Sequence, residues 1–190
     1  MRSFTLIELA VVISIVLILS TFAFPNFREI NAKFALDRTV YKLSQDLRNA
    51  EEMSMSSQTT DPAIFGSALF PAGGWGIYFK EASSSYILFA DCDGDGQYDA
   101  TGHPSTHSCA EAEISKPYPE KFKEISVEAG IKISALIPKY APDNSLAITF
   151  FPPDPAITIY PSATTAFMTL VFKARTETVS INLNGLIEIQ

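Results

Sequence analysis

The densest run of side chains able to do chemistry is Asp91-Cys92-Asp93-Gly94-Asp95-Gly96-Gln97-Tyr98-Asp99. A tight turn brings alternate carboxylates to one point, and a Gly at the sixth place permits the sharp bend; this is the spacing of the first nine places of a calcium loop. The ligand set that follows is Asp91, Asp93, Asp95 and Asp99, with the backbone oxygen of Gln97 as a further donor. Calcium is the expected cofactor, because hard oxygen donors suit it and four crowded carboxylates repel one another without a cation. The twelfth place is Gly102, where an EF-hand needs a bidentate Glu, and no flanking helices are evident. A solvated Asp-Gly turn is the competing reading of the same residues.

Cys92 lies at a non-ligand place of that loop. A bridge to Cys109 would close about 18 residues and contribute roughly 3 kcal/mol if unstrained. Two free thiols are the alternative. A zinc site from Cys92, His103, His107 and Cys109 is a third, but Pro104 and its Ser and Thr neighbours make that segment a loop. Enzyme signatures are missing: there is no Gly-rich phosphate loop, no G-x-S-x-G and no H-E-x-x-H. A non-enzymatic role is expected. The formal net charge of -7, with 13 basic and 20 acidic residues after Pro25, argues against nucleic acid as a partner.

The elements around these residues begin with an apolar stretch, Phe4–Phe24, whose one charge is Glu8. As a helix it rises about 31 Å against a hydrocarbon core of about 30 Å, so a membrane span is expected. Arg2 in front and an acidic domain behind place the N-terminus in the cytoplasm. A carboxylate inside such a segment costs about 2.5–3.5 kcal/mol, which suggests a function for Glu8. Thr5 and Glu8 also stand in capping-box spacing, a structural role that needs no further purpose.

The string from Ser3 through FTLIELAVVISIVLILS resembles the N-terminal processing motif of type IV pilins and type II secretion pseudopilins. The resemblance implies cleavage by a prepilin peptidase between Ser3 and Phe4 and methylation of Phe4. Glu8 matches the family's acidic fifth mature position, which implies that it offsets the terminal amine of a neighbouring subunit during assembly. Pro25 falls where pilins commonly carry a helix-disrupting proline. Ser3 departs from the usual Gly, and the leader is short. Leu43–Ala50, GGWGIYF and YILFADCDGDG resemble, more loosely, the H-type minor pseudopilins.

Beyond Pro25 the helical period continues. Leu36, Val40, Leu43, Leu47 and Ala50 form one stripe, while Phe27, Ile30, Phe34 and Tyr41 form a second roughly opposite it. The later, aliphatic stripe is expected on the protein's own sheet and the earlier, aromatic one against other subunits. After Pro62 strand signals take over, at Trp75–Lys80, Tyr86–Ala90, Ile125–Val127, Ile131–Leu136, Leu146–Phe151, Phe167–Lys173 and Thr178–Leu183. Asn184-Gly185 predicts a two-residue type I′ turn in the last hairpin.

The expected fold is α+β, a long N-terminal helix with a membrane-spanning first half packed on an antiparallel β-sheet domain, as in pilins. Its segments are a leader 1–3, an apolar half-helix 4–25, a soluble half-helix 26–57 and a β-rich domain 58–190. The expected function is a structural subunit of a type IV pilus or secretion pseudopilus, anchored in the inner membrane until it enters an extracytoplasmic filament. Its expected partners are prepilin peptidase, other pilin or pseudopilin subunits, the inner-membrane assembly platform and membrane lipid. The alternative is a single-span anchored binding protein that uses the calcium loop and never assembles.

Overall fold

The computed structural model describes residues 5–65, 68–100, 109, 120–152 and 156–190, and of 22–29 the backbone alone. The chain forms two compact units, Met1–Ala35 and Leu36–Gln190. Helix α1 runs Leu6–Met55. It starts on a reciprocal capping box: the Thr5 backbone N–H and hydroxyl donate to Glu8 Oε2 at 2.9 and 2.8 Å, and the Glu8 N–H donates to Thr5 Oγ1 at 3.3 Å. It ends on a Schellman arrangement, with Gln58 N–H on the Met53 carbonyl and Ser57 N–H on the Ser54 carbonyl. Ser57 takes the left-handed conformation, φ 53°, that such an ending requires.

The expected membrane-spanning, pilin-like architecture is corrected here. No helix among the described residues is long and apolar enough to cross a membrane. The apolar part of α1 with described side chains, residues 6–21, has 16 members. The β-rich part also differs from the single sheet expected, for it is two antiparallel sheets within an α+β arrangement.

A short helix, α2 (Pro62–Phe65), precedes the strands. The five-stranded sheet has the order β3-β2-β1-β5-β6, from β1 (Gly74–Lys80), β2 (Ser85–Asp91), β3 (Lys121–Ser126), β5 (Ser145–Phe151) and β6 (Ala156–Tyr160). The four-stranded sheet has the order β4-β7-β8-β9, from β4 (Lys132–Ile137), β7 (Thr165–Phe172), β8 (Arg175–Asn182) and β9 (Ile187–Ile189). The β1–β2 turn links them. Ala82 N–H donates to the Ile133 carbonyl at 2.8 Å, and Ile133 N–H donates to the Ser83 carbonyl at 3.0 Å. Glu81, itself paired with Lys139 at 2.8 Å, accepts the Leu136 N–H. The outer edge of β4 is thereby covered rather than left to pair with another chain.

Within the unit Leu36–Gln190 the aliphatic stripe of α1 is buried throughout, as are Trp75, Ile77 and Phe79 of β1 and Leu146, Ile148 and Phe150 of β5. Three bonds tie the helix and the segment just after it to the first sheet: Trp75 N–H donates to Ser54 Oγ, the Trp75 indole N–H donates to the Gln58 carbonyl, and the Tyr86 hydroxyl donates to Asp46. Met168, Leu170, Val179 and Ile181 form the buried side of the second sheet. Ile30, Phe34 and Tyr41 are exposed, at 44, 56 and 62%. The Phe27 side chain lies outside the described residues, as do Ser3 and Phe4.

Two local expectations need revision. Strand β6 has no counterpart among the expected strands, and prolines at 152, 153 and 155 before it and at 161 after it flank its sequence. Prolines at the margins of an edge strand cost no ladder bonds, so β6 pairs with β5 from Ala156 to Tyr160. The last hairpin turns on three residues, not two. Asn182 pairs with Leu186 through the Asn182 N–H, Gly185 N–H returns to the Asn182 carbonyl at 3.1 Å, and only Gly185 of the turn has positive φ, +79°. The Asn182 side chain supports this turn: its Oδ1 accepts the N–H groups of Asn184 and Leu186. Gly185→Ala is expected to cost about 1–2 kcal/mol, the penalty for a Cβ in the left-handed region. Thermal melting checks it, and an unchanged Tm would mean the hairpin can adopt another turn.

Candidate functional site

Strand β2 delivers Asp91 at its last position, opposite Gly74. Asp91 as a residue is only 1% exposed. Asp91 Oδ1 accepts the Gly94 N–H at 2.8 Å and Oδ2 accepts the Gly96 N–H at 2.9 Å, so one side chain organises the first turn. Asp93 Oδ1 accepts the Asp95 N–H at 3.2 Å, and Asp95 Oδ1 accepts the Gln97 N–H at 2.7 Å. Three successive Asx-type turns curl the chain so that the carboxylates of Asp91, Asp93 and Asp95 offer oxygens all within 4.8 Å of one another.

Asp99 is not brought into that group. Its backbone is held by Glu120, a residue with no signal in the sequence. Glu120 Oε1 accepts the Cys92 N–H and Oε2 accepts the Asp99 N–H, both at 2.9 Å. The Glu120 N–H in turn donates to the Asp99 carbonyl, and its carbonyl accepts the Ala90 N–H. One buried carboxylate thus closes both ends of the loop. It lies 21 residues beyond Asp99 in a Pro-rich stretch, and no spacing rule connects the two.

Burial raises the proton affinity of both acids, Asp91 and Glu120. Burial pushes Asp91 up to about 7, helped by the charges of Asp93 and Asp95 and opposed by its two amide bonds. Burial likewise pushes Glu120 up to about 8 against the amide bonds from Asp99 and Cys92, with the charges of Asp91 and Asp93 adding to it. Cys92 and Cys109 are joined in a disulfide, and both are buried. That consumes the two thiols a zinc site would need; His103, His107 and Gly102 lie outside the described residues.

The three clustered carboxylates suit a hard cation. All donors are oxygens, and an oxygen that accepts one amide bond keeps a second lone pair for an ion. Oxygens within 4.8 Å of one another are close enough to be drawn onto one cation. Three side chains are fewer than the usual six to eight donors, so the Gln97 carbonyl or water would complete the shell.

A second candidate is the start of α1. The Glu8 carboxylate there is engaged by Thr5, and the apolar residues from Leu6 to Leu19 are exposed on every face, Leu6 at 85% and Leu19 at 64%. Comparison with family models, with curated proteins and with solved structures finds no match for this chain.

Proposed function

We propose that the protein is a non-enzymatic structural subunit of an extracytoplasmic filament, of the type IV pilin or type II secretion pseudopilin kind, assembled through the N-terminal part of α1. The observation that carries this reading is the uncovered apolar helix. Leu6, Ile7, Leu9, Val11, Val12, Ile13 and Ile15–Leu19 are each more than half exposed. An exposed apolar surface of that extent marks an interaction site. A helix apolar on all sides is stable when other apolar surfaces surround it, and the same segment of neighbouring subunits supplies them. The N-terminal motif supports the same reading, with prepilin peptidase and an assembly platform as the partners that prepare the subunit. The acidic loop, in this proposal, binds calcium and stiffens the domain.

The first test is the intact mass and N-terminal sequence of protein purified from membranes that contain an active prepilin peptidase. A chain beginning at Phe4 with one added methyl group is expected. An intact Met1, with a control substrate processed in parallel, would defeat the assignment. The second test concerns Glu8. Glu8→Ala removes the capping carboxylate, which costs isolated helices about 1 kcal/mol or less, yet it is expected to abolish incorporation into filaments. Wild-type incorporation of Glu8→Ala would reduce Glu8 to a helix cap.

A further inference from the structure

The five-stranded sheet carries a second, aromatic feature on the face covered by the acidic loop. Register sets Ile87, Tyr78, Ala147 and Tyr160 side by side on β2, β1, β5 and β6. Residues directly opposite one another in an antiparallel ladder point to the same face, so the small Ala147 stands between two phenol rings. Each ring has an aromatic companion from outside the strands. Tyr98, at the end of the acidic loop, meets Tyr78 with 4.7 Å between ring centroids and a tilt of 41°. Tyr140 meets Tyr160 at 5.3 Å and 47°.

Carboxylates border this quartet. Asp143 accepts the Tyr78 hydroxyl at 2.9 Å and the Ser145 hydroxyl at 2.6 Å, which fixes both the ring and the acid. Burial, then the bond with Tyr140, then the negative potential of Asp95 and Asp143 raise the proton affinity of the Tyr160 phenol. Tyr140 and Asp95 are exposed, and the other four residues are half-buried. The neighbouring cation Lys121 is held by Glu124 at 2.6 Å, so its charge is already matched.

We propose that Tyr78, Tyr98, Tyr140 and Tyr160, with Asp143, form a binding site for the guanidinium or ammonium groups of a basic peptide segment. Ring faces attract cations through their quadrupole, most strongly where the cation is partly desolvated, and Asp143 supplies the counter-charge. The tilted ring pairs form corners rather than a flat platform, which suits a compact cation better than the broad face of a sugar. The overall charge of -7 adds long-range attraction for a basic partner. The hydroxyl bond from Tyr78 to Asp143 orders part of the site in advance, so less freedom is lost on binding.

The test is titration calorimetry of the full chain with hexa-arginine, with calcium chelated, and with a neutral oligosaccharide of similar size as the second probe. Hexa-arginine is expected to bind and the sugar not to. Tyr140→Ala, at an exposed position, and Tyr160→Ala are each expected to weaken binding about tenfold or more, and Asp143→Asn severalfold. Tyr160→Phe, which keeps the ring, should stay within about twofold, and Asp93→Asn, in the acidic loop only, within about threefold. Equal affinity in wild type and Tyr140→Ala would overturn the site. So would loss of binding in Asp93→Asn alone, which would assign the cation to the acidic loop, and so would binding of the sugar in place of the peptide. Melting temperatures identify any variant that fails to fold, and Tyr140→Ala then decides the outcome.

Discussion

Trp75→Ala is expected to destabilise the unit Leu36–Gln190 by about 3–5 kcal/mol, lowering its Tm by roughly 10 °C. Trp75 is fully buried in the middle of the first sheet, between Ala90 on β2 and Phe150 on β5. Its ring meets Phe122 edge-on at 5.2 Å. Its backbone N–H is spent on Ser54 Oγ in the last turn of α1 and its indole N–H on the Gln58 carbonyl just beyond the helix. Truncation therefore opens a cavity and leaves the Gln58 carbonyl without its partner, two costs that add. Tyr41→Ala, by contrast, removes an exposed ring and should stay within about 0.5 kcal/mol. Chemical denaturation of the two variants separates the roles. If Tyr41→Ala lost as much stability as Trp75→Ala, the aromatic stripe would belong to the core and not to a surface free for other subunits.

The second large effect is the response of the acidic loop to pH and calcium. Asp91 and Glu120 titrate in the folded protein near about 7 and about 8, above their unfolded values of about 4. A raised folded value means that the native state keeps protons that the unfolded state has released. The stability these groups contribute is complete below about pH 4 and is lost progressively as pH rises through about 7 and 8. Calcium works in the opposite sense, because it binds the ionised carboxylates and competes with protons. Saturating calcium, at about a hundred times its dissociation constant, is expected to add about 2.7 kcal/mol at pH 8 and little at pH 5. Thermal melts with calcium and with chelator at the two pH values measure this, and Asp91→Asn should erase the difference. No calcium effect at pH 8 would remove the metal site. An equal effect at both values would mean that Asp91 does not titrate in this range.

Periodic signals served well where burial repeats along one element. The stripe Leu36, Val40, Leu43, Leu47 and Ala50 needed only the helical period, and all five are buried. Of the nine strands among the described residues, six lie over the segments their alternation and turn residues predicted, β3 shares only Ile125 and Ser126 with the segment Ile125–Val127, and β9 lies in the last hairpin. Signals failed where a neighbour in space, not in sequence, decides. No expected strand covered β6, which exists because β5 offers it a ladder. The last turn, supported by the Asn182 side chain, is not the one the Asn-Gly pair predicted. The length of the apolar N-terminal run suggested a membrane span that no helix among the described residues provides.

The acidic loop divides in the same way. The alternation of Asp91, Asp93 and Asp95 with the intervening glycines is local, and local turn chemistry folds it whatever the rest of the chain does. The burial of Asp91, the joining of Cys92 to Cys109 and the closing of the loop by Glu120 are tertiary. So is the meeting of Tyr98 with Tyr78, which comes from a loop folding back on a sheet. The sequence by itself determined which residues could gather oxygen ligands and which helix face would be buried, because both depend on spacings of a few residues. Tertiary structure alone decided that the strands divide into two sheets, which acids would be desolvated and which one would lock the loop. Those outcomes depend on contacts between residues tens of positions apart, where chain spacing carries no geometric information.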